Sequence, residues 1–408
     1  MTDLVLANAT LVDGRRVDVF INDGLIESVD AADATGATTP SEQHNLGGAL
    51  LLPAFAEPHA HLDKALSGDR ITNRTRDLMG AIDAWIGALP SITITDMIER
   101  ANTALDMYIG NGVTAIPTHP DIGEGIGLRS VEALTDVRDT NRADVDIEIC
   151  GLIMYPLAGT AGSYNRRLLT EAIDLGLDLV GGVPALDPDP AANIATTLDA
   201  AEEASLPVDL HIDETIDPDV LTLEVLARQV IDRGFPNPIT ASHCVSLGMQ
   251  TPARQREVAM LVAEAGISVI ANPQTNLFLQ GWGVEAATPR GLTAIEALHE
   301  AGVTVAGGGD NVQDPFNLVG RADPLETASL LVSAGHLSPI EALAAVSSEA
   351  RRVMGLSTTI ETGNPADLVA VTAPSTQAAI ASGGTARRTY KAGRLTGSSE
   401  QSVRRFRG

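Results

Sequence analysis

Eight short apolar runs, each parted from the next by a longer stretch, fill the chain from about residue 50 to residue 310, and few architectures accept that pattern. The runs are LLPAFAEPHAH, VTAIPTH, IEICGLIMYP, LDLVGGVP, PVDLHID, PITASH, ISVIANP and VTVAGGGD. Helix-like segments lie between them, such as ANIATTLDAAEEASL before the fifth run and TPARQREVAMLVAEAG before the seventh. Short apolar strands alternating with amphipathic helices are the mark of repeated βα units on a parallel sheet. Doubly wound open sheets share it but rarely carry this many units in unbroken succession, so the pattern predicts an α/β fold of the closed (β/α)8 TIM barrel type. Beyond the eighth run, DPLETASLLVSAGHL and SPIEALAAVSSEARRVMG predict two covering helices, with Ser338-Pro339 and Glu341 as a helix start.

The two ends of the chain read differently. VLANATLVDG, VDVFIND and LIESVDA alternate apolar and polar positions between Gly and Asp turn signals, and ADLVAVTA and RRTYKAGRL return to that style near residue 370 onward. The first fifty residues thus read as β-structure without helices, and the later stretches as further strands of the same character. Chain termini commonly lie close together, so residues 1–50 and 360–408 are expected to form one small β-sandwich domain beside a barrel of residues 51–359.

Composition excludes several classes of partner. A net charge of -26 repels phosphate backbones and anionic lipid, so neither nucleic acid nor a membrane surface is expected, and the basic end RRFRG reads as a solvated tail. The opening MTDLVLANATLVDG has no basic stretch before an apolar one and reads as neither signal peptide nor membrane span. Cys150 and Cys244 give no disulfide framework and no C-x-x-C metal motif. A cytoplasmic enzyme with a small-molecule substrate is the expectation, and a homo-oligomer stays open.

In such a barrel the active site is built at the C-terminal ends of the strands. Polar residues stand there in order: His59 and His61 end the first run, His211 the fifth, His243 the sixth and Asp310 the eighth. In H-x-H on a strand, the period of two puts both imidazoles on one face, where they can share a metal. A lone H-x-H is a weak signal, because two histidines can simply bond to loops; five such residues on four strand ends are a strong one. Glu214, three residues past His211, is placed to exchange protons between a metal-bound water and a substrate. His119 ends the second run and faces the same mouth, where supporting a ligand and merely satisfying its own hydrogen bonds are both open. His44, His299 and His336 are read as structural.

These residues resemble the amidohydrolase superfamily, whose pattern is HxH, H, H, D on strands 1, 5, 6 and 8. Within it the phrases EPHAHLDK, VGGVP, HIDET, ASH, ANP with LQG, and GDNVQDPF are similar to the cytosine deaminase group. The small β-domain and the phrase from Ile360 to Leu368 also match the superfamily, so the likeness covers almost the whole chain. The resemblance implies that His59, His61, His211 and Asp310 hold one divalent metal ion, Zn or Fe. It further implies that Glu214 shuttles protons, that His243 steadies the attacking oxygen or the tetrahedral centre, and that Asp310 also takes a proton from the water. Binuclear members bridge their metals through a carboxylated lysine on or near strand 4, or sometimes a glutamate. This chain has two lysines, Lys64 and Lys391, neither on that strand, which favours one metal. Lys64 is open between touching substrate and pairing with an acid.

Two departures bear on the substrate. Cytosine-specific members carry a Pro-Gln after strand 3 whose amide reads the pyrimidine, where this chain has Pro156-Leu157. After the catalytic Asp they carry a second Asp and then a Trp, where this chain has Asn311 and Phe316. An amide can donate and accept where a carboxylate only accepts, so a different ring edge should be read, and sites that hydrogen-bond one ring pattern discriminate strongly against another. The expected activity is hydrolytic deamination of an aminated pyrimidine, triazine or related cyclic amidine rather than cytosine, with Leu157, Gln280, Trp282, Asn311 and Phe316 as pocket residues. Two alternatives remain: hydrolysis of a cyclic amide, N-alkyl or N-acyl bond on the same machinery, and a non-catalytic binding protein on the same fold.

Overall fold

The computed structural model describes residues 2–32, 40–402 and 404; the basic end, apart from Arg404, lies outside them. All eight apolar runs contain a strand: Phe55–Ala56, Val113–Thr118, Asp146–Ile153, Leu179–Gly182, Val208–Ile212, Ile239–His243, Ser268–Ala271 and Val305–Gly307. They pair in parallel in that order. The ring closes above the short first strand, where Ala60 bridges Thr118 on one side and Asp310 on the other and the Asp310 amide donates to the His59 carbonyl at 3.1 Å. Closure and candidate site therefore fall at the same level of the barrel.

The helices start where the sequence supplies caps. Asp189, Thr251, Asp323 and Ser338 each accept a hydrogen bond from a backbone amide of the first turn, and a proline follows each one, where its missing N–H costs nothing. Ser338 and Glu341 form a full capping box. The segment after it divides into two helices, Pro339–Val346 and Ser348–Val353, broken at Ser347, whose hydroxyl bonds the Pro53 carbonyl at 2.9 Å. Leu78–Ala88, capped by Asp77, was not anticipated and lies in the excursion between the first strand and its own helix Ile94–Gly110; Thr376–Ser382, capped by Ser375, likewise interrupts the strands of the C-terminal segment.

The two ends of the chain do come together. Leu4–Thr10, Arg16–Asn22, Leu25–Ala31, Glu42–Asn45, Leu50–Pro53, Leu368–Val371, Ala386–Lys391 and Arg394–Glu400 form one mixed eight-stranded sheet. It is a single sheet folded over itself rather than two separate ones. The turn at Gly24 meets Ala392, and Gly393 meets Ile21, although three strands part these hairpins in the pairing order. The fold encloses its own apolar cluster, including Leu6, Val19, Ile21, Ile26, Leu51, Leu368 and Tyr390, distinct from the barrel's. His44 lies in this sheet against Tyr390, far from any candidate site. Among the described residues no helix is long and apolar enough to cross a membrane.

Candidate active site

His59, His61, His211, His243, Glu214 and Asp310 all line or floor one pocket at the C-terminal mouth of the barrel. Strand geometry places His211, the bridged Ala60 just beyond the first strand places His59 and His61 on either side of it, and unusual backbone places the others. Asp213, His243 and Asp310 all have positive φ, at 50°, 70° and 64°. Such conformations cost side-chain-bearing residues energy and persist where the surroundings enforce them. The Asp213 carboxylate accepts from the Thr222 and Leu223 amides at 2.9 and 3.0 Å, which ties the turn carrying Glu214 to a helix start. Asp310 is fixed from behind by Glu57, whose carboxyl oxygens both accept from the Gly309 amide at 2.9 Å. A side chain at Gly308 would strike the Asn272 oxygen at 2.4 Å and one at Gly309 a Glu57 oxygen at 2.8 Å, so the glycines before Asp310 are a packing requirement. Burial lifts the Glu57 pKa to about 8 against these amide bonds.

Three imidazoles turn their Nε2 atoms toward one point. Nε2 of His211 lies 3.1 Å from Nε2 of both His59 and His61. Asp310 Oδ1 completes the group at 3.3 Å from His61 and 3.8 Å from His59. All four side chains are buried, and both Asp310 oxygens lack a hydrogen-bond donor. Burial, reinforced by the neighbouring histidines and, at His61, by Lys64, holds the pKa values of His59, His61 and His211 below the usual range, so the rings are neutral. Neutral rings with converging lone pairs beside a bare carboxylate repel one another unless a cation lies between. Ligands of a tetrahedral ion with bonds of about 2.0–2.1 Å stand about 3.3 Å apart, within the 3.1–3.8 Å range found here.

Above this group, Glu214 and His243 share one donor: the Asn276 amide lies 3.1 Å from Glu214 Oε1 and 3.0 Å from His243 Nδ1. Burial, and then the Asp310 charge, pushes the Glu214 pKa well above the carboxylate range, so it is a neutral acid with a proton to give. Burial drives His243 down to about 3. Because Asn276 donates to Nδ1, the proton of this neutral ring sits on Nε2.

The pocket encloses about 700 Å³, including the part open to solvent. Its walls are apolar and partly flat: Leu78, Ile82, Trp85 and Ile86 from the Leu78–Ala88 helix, with Leu152, Met154, Tyr155 and Phe316. Lys64 lines it too, buried between Asp121 at 3.0 Å and Asp63 at 3.3 Å, and 5.5 Å from the Trp85 ring centre. Both open roles of Lys64, pocket contact and acid pairing, are thus available to it.

The pocket residues expected from the sequence divide. Asn311 and Phe316 line it. The Asn311 amide is half engaged, donating to Asp314 at 2.8 Å and accepting from Thr275 at 3.3 Å. Leu157 is corrected: it is fully buried in the barrel core, its amide held by Asp187 at 2.6 Å, and Met154 and Tyr155 take the wall instead. Gln280 is corrected as well, since it stands behind the wall and donates to the Glu214 carbonyl at 2.9 Å. Trp282 sits outside the lining, half exposed, with the Arg76 guanidinium over its ring. Asn276, Asp63, Asp121 and Trp85 were not singled out from the sequence.

Comparison with known proteins agrees with this architecture. The profile of the amidohydrolase family matches residues 72–396. A pterin deaminase of Rhizobium rhizogenes is 32% identical over 370 residues, covering 87% of this chain and 82% of that protein. The N-isopropylammelide isopropyl amidohydrolase of a Pseudomonas species is 25% identical over 401 residues, 93% of each. The crystal structure of 5-methylcytosine deaminase from Klebsiella pneumoniae, liganded with 5-fluorocytosine, superposes with a TM-score of 0.88 at 28% identity over 99% of both chains. With the profile spanning most of its length and a relative above 30% identity, the chain belongs to the amidohydrolase family of hydrolases.

Proposed function

We propose that the protein is a hydrolytic deaminase of a flat, aminated nitrogen heterocycle, using one divalent ion, Zn or Fe, held by Nε2 of His59, His61 and His211 and by Asp310. The observation that carries the reading is the convergence of three neutral imidazoles and a donorless carboxylate directly beneath a neutral glutamic acid, inside a flat apolar pocket. The relatives support the substrate class, being named for a pterin, 5-methylcytosine and N-isopropylammelide. When bound, the ion supplies a water whose pKa is lowered to about 7, and hence a nucleophile at neutral pH.

The protein's own groups do the rest. Asp310, free of other donors, accepts the proton that the water sheds. Glu214 gives its proton to the ring nitrogen beside the attacked carbon, the proton taken up by Asp310 passes to the departing amine, and Glu214 regains a proton from the new C–OH, so a C–O bond replaces the C–N bond, ammonia leaves and both carboxyl groups return to their starting states. His243 donates from Nε2 toward the oxygen as charge builds there. Trp85, Tyr155 and Phe316 hold the ring, and the Leu78–Ala88 helix keeps bulk water off it. Buried, unpaired Cys150 and Cys244 fit the reducing cytoplasm where this reading places the enzyme.

The test is ammonia release by the metal-loaded protein across aminated pterins, pyrimidines, triazines and imidazolones, with Glu214→Gln as control. Ammonia from one ring class, lost in the variant, is the expected result. Silence across the panel from folded, metal-loaded protein refutes deamination. Release of an alkylamine instead would favour the second reading, N-dealkylating hydrolysis, for which the isopropyl amidohydrolase relative speaks.

A further inference from the structure

Beneath the three imidazoles lies a chain of buried polar groups that the proposed chemistry does not use. His59 Nδ1 stands 2.9 Å from Ser242 Oγ, and Ser242 Oγ stands 2.9 Å from Asp209 Oδ1. Asp209 Oδ2 in turn meets His119 Nε2 at 3.1 Å. His119 Nδ1 reaches the Ala60 carbonyl at 3.2 Å, and the His119 carbonyl lies 3.2 Å from His61 Nδ1. Ser242 and His119 are wholly buried and Asp209 is 1% exposed, so bulk water does not compete for these bonds.

The donor directions follow from what each group can do. An ionised carboxylate only accepts, so the single Ser242 hydroxyl proton goes to Asp209. Ser242 Oγ must then accept from His59, which puts the His59 proton on Nδ1 and leaves the lone pair on Nε2, the atom aimed at the other two imidazoles. At His61 the nearer partner of Nδ1 is the His119 carbonyl at 3.2 Å, which only accepts, with the Lys64 ammonium at 3.4 Å competing for the same atom, so His59 is the ring whose tautomer is fixed without a rival. His119 therefore serves two rings at once: its backbone oxygen meets His61 Nδ1, and its side chain holds the Asp209 carboxylate that fixes His59 through Ser242. His211 Nδ1, by contrast, has no partner among the described residues.

We infer that Ser242, Asp209 and His119 are positioning residues that lock the tautomer and ring orientation of His59 and so set how tightly the site holds its metal. This rests on the metal reading above. Loss of such supporting hydrogen bonds lowers metal affinity about 10- to 100-fold. The register explains how the serine comes to be there: Ser242 pairs laterally with His211, and Asp209 precedes His211 by two, so all three face inward on neighbouring strands.

The experiment measures the Zn²⁺ dissociation constant by competition with a chromogenic chelator, alongside the melting temperature of the metal-free protein. Ser242→Ala is expected to weaken Zn²⁺ binding at least tenfold, Ser242→Thr to restore it to within threefold, and Asp209→Asn to weaken it as well. Thr240→Val, two residues earlier on the same strand and bonded only to the Val208 carbonyl, is expected to bind like the wild type. The inference is overturned if both Ser242→Ala and Asp209→Asn bind Zn²⁺ within threefold of the wild type, or if a folded Ser242→Thr binds as weakly as the alanine variant. Wild-type protein that binds neither Zn²⁺ nor Fe²⁺ would instead overturn the metal reading itself, and that failure shows before any variant is made.

Discussion

Asn276→Ala isolates the link between the two proton-handling groups without touching the four proposed ligands. In the wild type one amide group serves Glu214 at 3.1 Å and His243 at 3.0 Å. Truncation removes both bonds, and an acceptor left buried without its donor costs about 1–3 kcal/mol. His243 is 1% exposed and cannot recruit solvent freely, whereas Glu214 is partly open, so the lower end of the combined range, about 2 kcal/mol, is the appropriate figure. At about 1.4 kcal/mol per factor of ten, kcat should fall roughly 30-fold. The assay is ammonia release at saturating substrate, with metal content measured on the same samples. A variant that keeps its metal and turns over within threefold of the wild type would refute the argument that the shared donor organises the acid and the imidazole. A loss that tracks missing metal would do so too.

Two further outcomes follow from the geometry. Exhaustive chelation should abolish turnover, and one equivalent of Zn²⁺ or Fe²⁺ should restore it with a rise in melting temperature, because ligand at 100 times its dissociation constant adds about 2.7 kcal/mol; restoration without any thermal shift would count against a site built from four buried side chains. Glu148 faces a cavity at the opposite end of the barrel, where burial and then the charges of Asp178 and Asp146 raise its pKa to about 7. Between its unfolded value near 4.5 and 7 the native state holds a proton that the unfolded chain lacks, so stability falls as pH rises through this window. Glu148→Gln should therefore gain stability over the wild type at pH 8, by up to about 3 kcal/mol, and the gain should vanish below about pH 4. Urea titrations giving the same difference at both pH values would contradict this.

The barrel was legible because parallel strands covered on both faces read as continuous apolar runs, and seven of the eight strands lie inside those runs, the third starting one residue early at Asp146. Of the candidate ligands, His211 was legible because alternation along a strand is rigid, and His59 and His61 because their i, i+2 spacing carries past the first strand to the bridged Ala60. What failed was direction beyond the strand ends. After Ile153 the chain leaves the sheet, so nothing in the sequence says that Tyr155 faces the pocket while Leu157 turns into the core. His243 shows the same limit: by alternation either it or Ser242 should face inward, yet a positive φ lets both do so, and the serine went unnoticed. Asn276 had a faint signal, since Asn272 and Asn276 stand one helical turn apart, on one side of the Pro273–Leu279 helix. The Leu78–Ala88 wall had none, because its apolar residues looked like any barrel helix.

The strand Leu50–Pro53 pairs along its whole length with Leu368–Val371 and runs, after one residue, into the barrel strand that leads to His59 and His61. The lead-in to the first two candidate ligands is thus clamped by residues some three hundred positions later in the sequence. The barrel's first strand has no anchored start until that pairing forms, so the approach to the candidate site is among the last features to settle as the chain folds. Contacts this distant in sequence also form slowly.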